Sequence, residues 1–141
     1  MLSPKSTKYK KYHYKRKKGK AVKGNKIVSG QLALQSLEFS WISSRQIETI
    51  RRVIVRHTKR GVNIWIRIFP DITITNRANE SRMGSGKGSV SYWVAALKPG
   101  TILIEVKINL IPIEIVKKAL ELVRYKLPFK TKIINKEIYD I

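Results

Sequence analysis

Residues 82–88 read Arg82-Met83-Gly84-Ser85-Gly86-Lys87-Gly88. Three glycines at alternate positions give a backbone that can approach another chain closely and turn its amides toward an anion. Arg82 and Lys87 add a cation at either end. Such a segment supports phosphate binding, which leaves open what carries the phosphate. A nucleotide-hydrolysing loop requires G-x-x-x-x-G-K-[ST], but Ser81 stands five residues before Gly86, and Gly88 follows Lys87. The dinucleotide pattern G-x-G-x-x-G fails as well, because the glycines run G-x-G-x-G. A loop inserted into RNA fits better than one closed around a nucleotide.

Two further groups of cations point the same way. Before the first acid, Glu38, stand eleven Lys or Arg, among them Lys5, Lys8, Lys10, Lys11, Lys15, Arg16, Lys17 and Lys18. Tyr9, Tyr12, His13 and Tyr14 are interleaved with them. Lysines attract phosphate regardless of sequence, and flat rings can stack on exposed bases. Such a block cannot bury enough apolar surface to fold alone, so residues 1–26 read as an arm ordered against its partner. The second group, Arg45, Arg52, Arg56 and Lys59, recurs at helical steps with only Glu48 to offset it. A phosphate-facing stripe accounts for that better than an ordinary solvated face.

Enzymatic readings find little support. With no cysteine there is no disulfide, no thiolate zinc site and no cysteine nucleophile. His13 and His57 lie far apart and match no metal or catalytic motif, and the acids are scattered, so no metal or cofactor is expected. The chain carries 30 Lys+Arg against 9 Asp+Glu, a formal charge of +21. Like charges repel across a folded surface, so an excess of this size calls for a polyanionic partner. Nucleic acid comes first. An anionic membrane surface comes second, but it explains the charge without explaining the loop, and no run of 18 apolar residues exists.

The elements that must position these residues begin after the arm, with a single domain expected over 27–135 and a loose tail over 136–141. Ser43 and Gln46 have the spacing of a capping box. They open a helix predicted to reach about Lys59 and stop at Gly61, with Ile47, Ile50 and Ile54 facing the core. Asn63 to Pro70 alternates Ile64, Ile66 and Ile68 with Trp65, Arg67 and Phe69, the pattern of a strand. Residues 73–88 lack periodicity and read as a loop. A strand follows over 89–97 with Val90, Tyr92 and Val94 on one face. Lys98-Pro99-Gly100-Thr101 has the form of a type II turn. The next strand, over 102–108, sets Ile102, Ile104, Val106 and Ile108 against Leu103, Glu105 and Lys107, and the two strands are expected to pair as a hairpin. Pro112 suits the first position of a second helix, whose core stripe is Val116, Ala119, Leu120, Val123 and Leu127. Residues 130–135 read as a last strand. Together these make an α+β domain: an antiparallel sheet with two helices packed on one face and an extended basic N-terminal arm.

Several segments, taken in order, resemble the large-subunit ribosomal protein L-sixteen family. They are Met1-Leu2-Ser3-Pro4-Lys5, Ser44-Arg45-Gln46-Ile47-Glu48 with Arg51-Arg52, and Ile64-Trp65-Ile66-Arg67-Ile68-Phe69-Pro70-Asp71. The glycine loop, Tyr92-Trp93-Val94 and Lys98-Pro99-Gly100 complete the set. The resemblance is collinear over about residues 1–132. It implies an α+β fold set into large-subunit ribosomal RNA beside the cleft that receives aminoacyl-tRNA. There the family organises the RNA around the A site and the peptidyl-transferase centre and is not itself the catalyst. It also implies that Arg82, Met83, Gly84, Ser85, Gly86, Lys87 and Gly88 point toward tRNA acceptor ends, that the arm threads into RNA, and that neighbouring ribosomal proteins are partners.

Two departures stand out. Leu110-Ile111-Pro112 keeps only the proline of the family's Gly-x-Pro, and the tail past Ile133 is longer than usual. The family-like start at residue 1 implies no import sequence. Ala33-Leu34-Gln35-Ser36-Leu37-Glu38, Trp41-Ile42 and Ser85 look like plastid members, and the high Ile and Lys content fits an AT-rich genome. A plastid is expected first, then a mitochondrion, then a bacterial cytoplasm.

Overall fold

A computed structural model describes residues 2–13, 19–109 and 111–136. Lys15, Arg16, Lys17 and Lys18, with Tyr14, Leu110 and the tail over 137–141, lie outside the described residues.

The first helix, α1 (Ser44–His57), starts where its capping chemistry places it. The Ser43 hydroxyl accepts from the Gln46 amide at 3.3 Å, and the Gln46 side-chain oxygen accepts from the Ser43 amide at 2.9 Å. This reciprocal pair satisfies two of the orphan donors of the first turn. Ile47, Ile50 and Ile54 are buried, as the spacing predicts. The helix ends at His57, two residues short of the sequence expectation. The Thr58 amide and hydroxyl both donate to the Ile54 carbonyl, at 2.9 and 2.8 Å, and close the last turn. The second helix, α2 (Ile113–Arg124), has Pro112 just before its first turn and buries Val116, Ala119, Leu120 and Val123 against α1 and the core. It stops short of Leu127, which is still buried beyond its end.

Among the described residues, seven strands form two antiparallel sheets where one was expected. β3 (Val62–Ile66), β6 (Ile102–Ile108), β1 (Leu32–Ser36) and β7 (Thr131–Asn135) lie in that order in the larger sheet. β2 (Ser40–Ser43), β5 (Ser89–Leu97) and β4 (Ile72–Asn76) form the smaller. The strands over 89–97 and 102–108 both exist but do not pair as a hairpin: β5 pairs with β2 and β4, and β6 with β1 and β3. The turn between them is present, with the Thr101 amide donating to the Lys98 carbonyl at 3.0 Å and Gly100 at φ +91°. It hands the chain from one sheet to the other. The segment over 73–88 is likewise not all loop, since its first residues belong to β4.

Leu32, Leu34, Ile104 and Val106 on one face of the larger sheet share a core with both helices and with Ile42, Ala95 and Leu97 of the smaller. On the other face, Ala33 stands between Glu105 and Ile134, and Ile27 packs over Ala33, Ile102 and Ile134. Glu105, set by alternation on the face opposite Ile104 and Val106, is fully buried there. Its carboxylate accepts from the amides of Ser29 at 2.8 Å, Gly30 at 3.0 Å and Val28 at 3.3 Å, and pairs with Arg67 at 3.2 Å. Gly30 is required by the closeness of this contact, because a Cβ there would lie 2.9 Å from the Glu105 Cβ and 3.0 Å from the Val106 amide nitrogen. The chain leading into the domain is thereby fixed to the middle of the larger sheet. Just upstream, the Ala21 amide donates to the Pro99 carbonyl and the Ile102 amide to the Gly24 carbonyl, each at 2.9 Å.

Candidate nucleic-acid interface

With 100° between successive residues, Arg45, Arg52 and Arg56 fall within about 40° of one another around α1 and diametrically opposite Ile47, Ile50 and Ile54. Packing the isoleucine face therefore fixes the arginine face outward, and all three arginines are exposed. From Arg45 to Arg56 the stripe runs for about 16 Å. Lys59 continues it past the helix end, where Lys59 and Arg60 adopt left-handed backbone at φ +45° and +65°. Residues without a glycine's freedom rarely hold such angles. Here the Arg60 amide donates to the Val55 carbonyl at 3.1 Å and the Gly61 amide to the Thr58 carbonyl at 2.8 Å. Together they wrap two cations around the carbonyl end of the helix.

Glu48 is the acid within this face. Its carboxylate accepts from Arg51 at 2.6 and 2.9 Å and from Arg52 at 3.0 Å. Those hydrogen bonds hold its carboxyl at about 2, well below the usual carboxylate range. Near neutral pH Glu48 is ionised and occupies part of the donor capacity of Arg51 and Arg52. Arg45 and Arg56 are not among its partners, so the stripe keeps cations at both ends.

The start of the chain lies beside this helix. Leu2 packs against the core and lines a surface groove with Arg45, Glu48 and Arg52. Lys5, Lys8, Lys10 and Lys11 are exposed, and Lys8 sits 5.6 Å from the centre of the Tyr9 ring. Farther on, the arm meets the glycine loop. Lys11 Nζ donates to the Lys87 carbonyl at 2.9 Å, Lys87 Nζ donates to the Tyr12 carbonyl, and the Tyr12 amide donates to the Thr73 hydroxyl at 3.3 Å. Sequence reasoning treats arm and loop as separate features, and no local signal joins positions so far apart.

The loop joins β4 to β5. Arg82, Met83, Gly84, Ser85, Gly86 and Lys87 are exposed, with Met83 98% so. Gly84, Ser85 and Gly86 all have positive φ, at +114°, +60° and +76°. Arg77 donates to the Gly86 carbonyl at 3.1 Å across the base of the loop. Gly88 has a different task. A Cβ there would lie 2.4 Å from the Asn76 carbonyl oxygen, whereas at Gly84 and Gly86 it would meet open space. Gly88→Ala is therefore expected to force the two strands apart and destabilise the protein by about 1–3 kcal/mol. Gly86→Ala should cost about 1–2 kcal/mol in local backbone strain, confined to an exposed loop. Thermal melts of the two variants check this, and an equal or larger fall for Gly86→Ala would contradict it.

Not every expected feature faces as the alternation indicates. Val90 and Tyr92, placed with Val94 on one face, are 36% and 43% exposed, and of the three only Val94 is buried. The outer half of β5 pairs with β4 beyond the end of β2, and its apolar residues are left partly exposed. Among the described residues no cluster of His, Cys, Asp or Glu is suited to a metal ion, and no helix is long and apolar enough to cross a membrane.

A body that buries isoleucine inward and turns an arginine stripe, a cationic loop and a lysine-rich arm outward belongs to the class of small basic proteins shaped to lie against a polyanion. The chain belongs to the ribosomal protein L16p/L10e family, whose pattern matches residues 4–134. It is similar to the large ribosomal subunit protein uL16c of Thalassiosira pseudonana, with 62% identity over 139 residues, covering 98% of this chain and 100% of the relative. Similarity to the uL16c of Phaeodactylum tricornutum is 61% over 137 residues, covering 97% of this chain and 98% of the relative. For Cyanidium caldarium it is 53% over 137 residues, covering 97% and 96%. The chain is thus a plastid-type member, a structural constituent of the ribosome and not an enzyme. As a ribosomal protein it associates with ribosomal RNA and with other ribosomal proteins.

Proposed function

We propose that this protein binds large-subunit ribosomal RNA directly through the α1 stripe and the N-terminal arm. In doing so it helps organise the A-site and peptidyl-transferase region of the plastid ribosome. The observation that carries the reading is the opposition of Arg45, Arg52 and Arg56 to the buried Ile47, Ile50 and Ile54 on one helix. Lys59 extends the stripe, and Lys5, Lys8, Lys10 and Lys11 extend the basic surface along the arm. Lys15, Arg16, Lys17 and Lys18 join them in this reading by sequence alone. Counterions released from RNA by such a surface would supply most of the affinity.

Sucrose-gradient sedimentation of a native plastid lysate, with mass spectrometry of each fraction, tests the assignment. Co-migration with the large subunit through a moderate salt wash is expected. Recovery as free protein or with membranes would overturn it.

The same proposal places Arg82, Met83, Gly84, Ser85, Gly86, Lys87 and Gly88 near the acceptor ends of tRNA. The loop's exposure and its left-handed backbone support this, since such a segment can follow a ligand that moves in and out. Gly84→Ala with Gly86→Ala stiffens the loop without altering its charge. Ribosomes carrying both substitutions should assemble but accommodate tRNA more slowly. Wild-type accommodation rates, measured by rapid kinetics, would remove the tRNA-facing role.

A further inference from the structure

β2 stops at Ser43, which pairs with Val94, so along that side β5 has no strand partner over residues 91–93 among the described residues. The opposite edge at Tyr92 and Trp93 is taken by β4. Between the open edge and the first turn of α1 lies a groove of about 610 Å³. Leu2, Trp41, Arg45, Tyr92 and Trp93 line it. Its volume is within the range of pockets that enclose small ligands.

The groove offers three kinds of contact. Tyr92 is 43% exposed and half-buried Trp93 follows it on the strand, so flat apolar surface is available for stacking. The strand edge presents main-chain donors and acceptors in a row. Arg45 stands at one rim with no acid in the first turn of α1 to oppose an anion. Stacking surface, a hydrogen-bonding edge and a cation together match the base, the base edge and the phosphate of an unpaired nucleotide. An acidic or neutral peptide would use the edge and the apolar walls. It would not account for a groove that opens onto the arginine stripe of a +21 chain.

We propose that this groove is a binding site for a single unstacked nucleotide of the ribosomal RNA, held by stacking on Tyr92 and by a phosphate contact to Arg45. The proposal rests on the direct RNA-binding reading above and adds a base-accepting site to its electrostatic surface. It also explains why Tyr92 stays exposed on a strand whose other half is core: the groove it lines is completed by RNA.

The test measures affinity of the full-length protein for three ligands: large-subunit ribosomal RNA, a single-stranded RNA of about twelve nucleotides, and a duplex of the same length. Tyr92→Ala should weaken single-strand binding by about 5- to 150-fold and leave duplex binding within about two-fold. Tyr92→Phe should retain single-strand affinity, and Tyr125→Ala, at a ring 86% exposed on the far end of α2, should change nothing. If Tyr92→Ala keeps wild-type single-strand affinity while the ribosomal RNA still binds, the groove proposal falls and the RNA-binding reading stands. If Tyr92→Ala weakens single strand and duplex equally, the residue supports the fold and the proposal falls as well. If the wild-type protein binds none of the three, both readings fail. In the assembled subunit, a benzophenone amino acid in place of Tyr92 should crosslink to RNA; crosslinking to a protein alone would overturn the proposal.

Discussion

Glu105→Ala is expected to lower the melting temperature of the free protein by roughly 10–20 °C, the largest stability effect of any single change considered. Three main-chain amides and the Arg67 guanidinium converge on this one fully buried carboxylate. Removing one partner of a buried, hydrogen-bonded charge leaves the others desolvated and unmatched, which costs about 3–5 kcal/mol. For a domain of this size each kcal/mol shifts the midpoint by roughly 2–8 °C. Glu105→Gln keeps a side-chain oxygen for the Ser29 and Gly30 amides and should lose about half as much. Circular-dichroism melts of the two variants decide the matter: a Glu105→Ala protein melting within a few degrees of the parent would mean that these amides find other acceptors.

The largest effect on binding is expected from Arg45, Arg52 and Arg56 replaced together by alanine. Each phosphate contact removed should flatten the slope of log affinity against log salt by roughly 0.7–0.9, so the three together by about 2 or more. Affinity for large-subunit ribosomal RNA at moderate salt should fall by on the order of a hundred-fold, because each lost contact is a charge-assisted hydrogen bond. The fold should be little affected, since all three side chains point away from the isoleucine face. Filter-binding titrations across a salt series supply both numbers. A salt slope equal to that of the parent would take the stripe out of the RNA interface, whatever happened to the affinity at a single salt concentration.

The helices were legible because their signals are local. Ser43 and Gln46 cap α1 within one turn, and Ile47, Ile50 and Ile54 repeat at its period, so the arginine face followed from the isoleucine face. Pro112 and the Val116 to Val123 stripe did the same for α2. The strands were legible where one face is buried and the other is not. β1 escaped because Leu32, Ala33 and Leu34 are buried in succession, which erases the alternation. β2 has only four residues. β4 alternates Ile with Thr, β-branched residues that favour a strand, but it spans only five residues and runs straight into the aperiodic glycine-rich loop. The Pro-Gly turn was read correctly as a turn, but turn chemistry does not say whether the strands it joins will be neighbours. Here they enter different sheets.

At the candidate interface the same division holds. Arginine spacing is a property of one helix and could be read directly. The groove at Tyr92 depends on where β2 ends relative to β5, residues about fifty positions apart, so no local pattern announces it. The burial of Glu105 was illegible for a similar reason. Alternation correctly put it on the face opposite Ile104 and Val106, but that face is covered by residues from the other end of the chain.

The Glu105 carboxylate and its amide partners are 75 to 77 residues apart in the chain, and Lys11 and Lys87 are 76 apart. A chain made from its N-terminus exposes the lysine-rich segment long before either counterpart exists. During that interval residues 28–30 have no acceptor to hold them, and the cationic arm is free to meet any polyanion nearby. Contacts closed over such distances form late in folding. Order of synthesis thus leaves the arm without its partners in β6 and the glycine loop until both have been made. A nascent chain already engaged with nucleic acid would complete its larger sheet around a start that is already anchored.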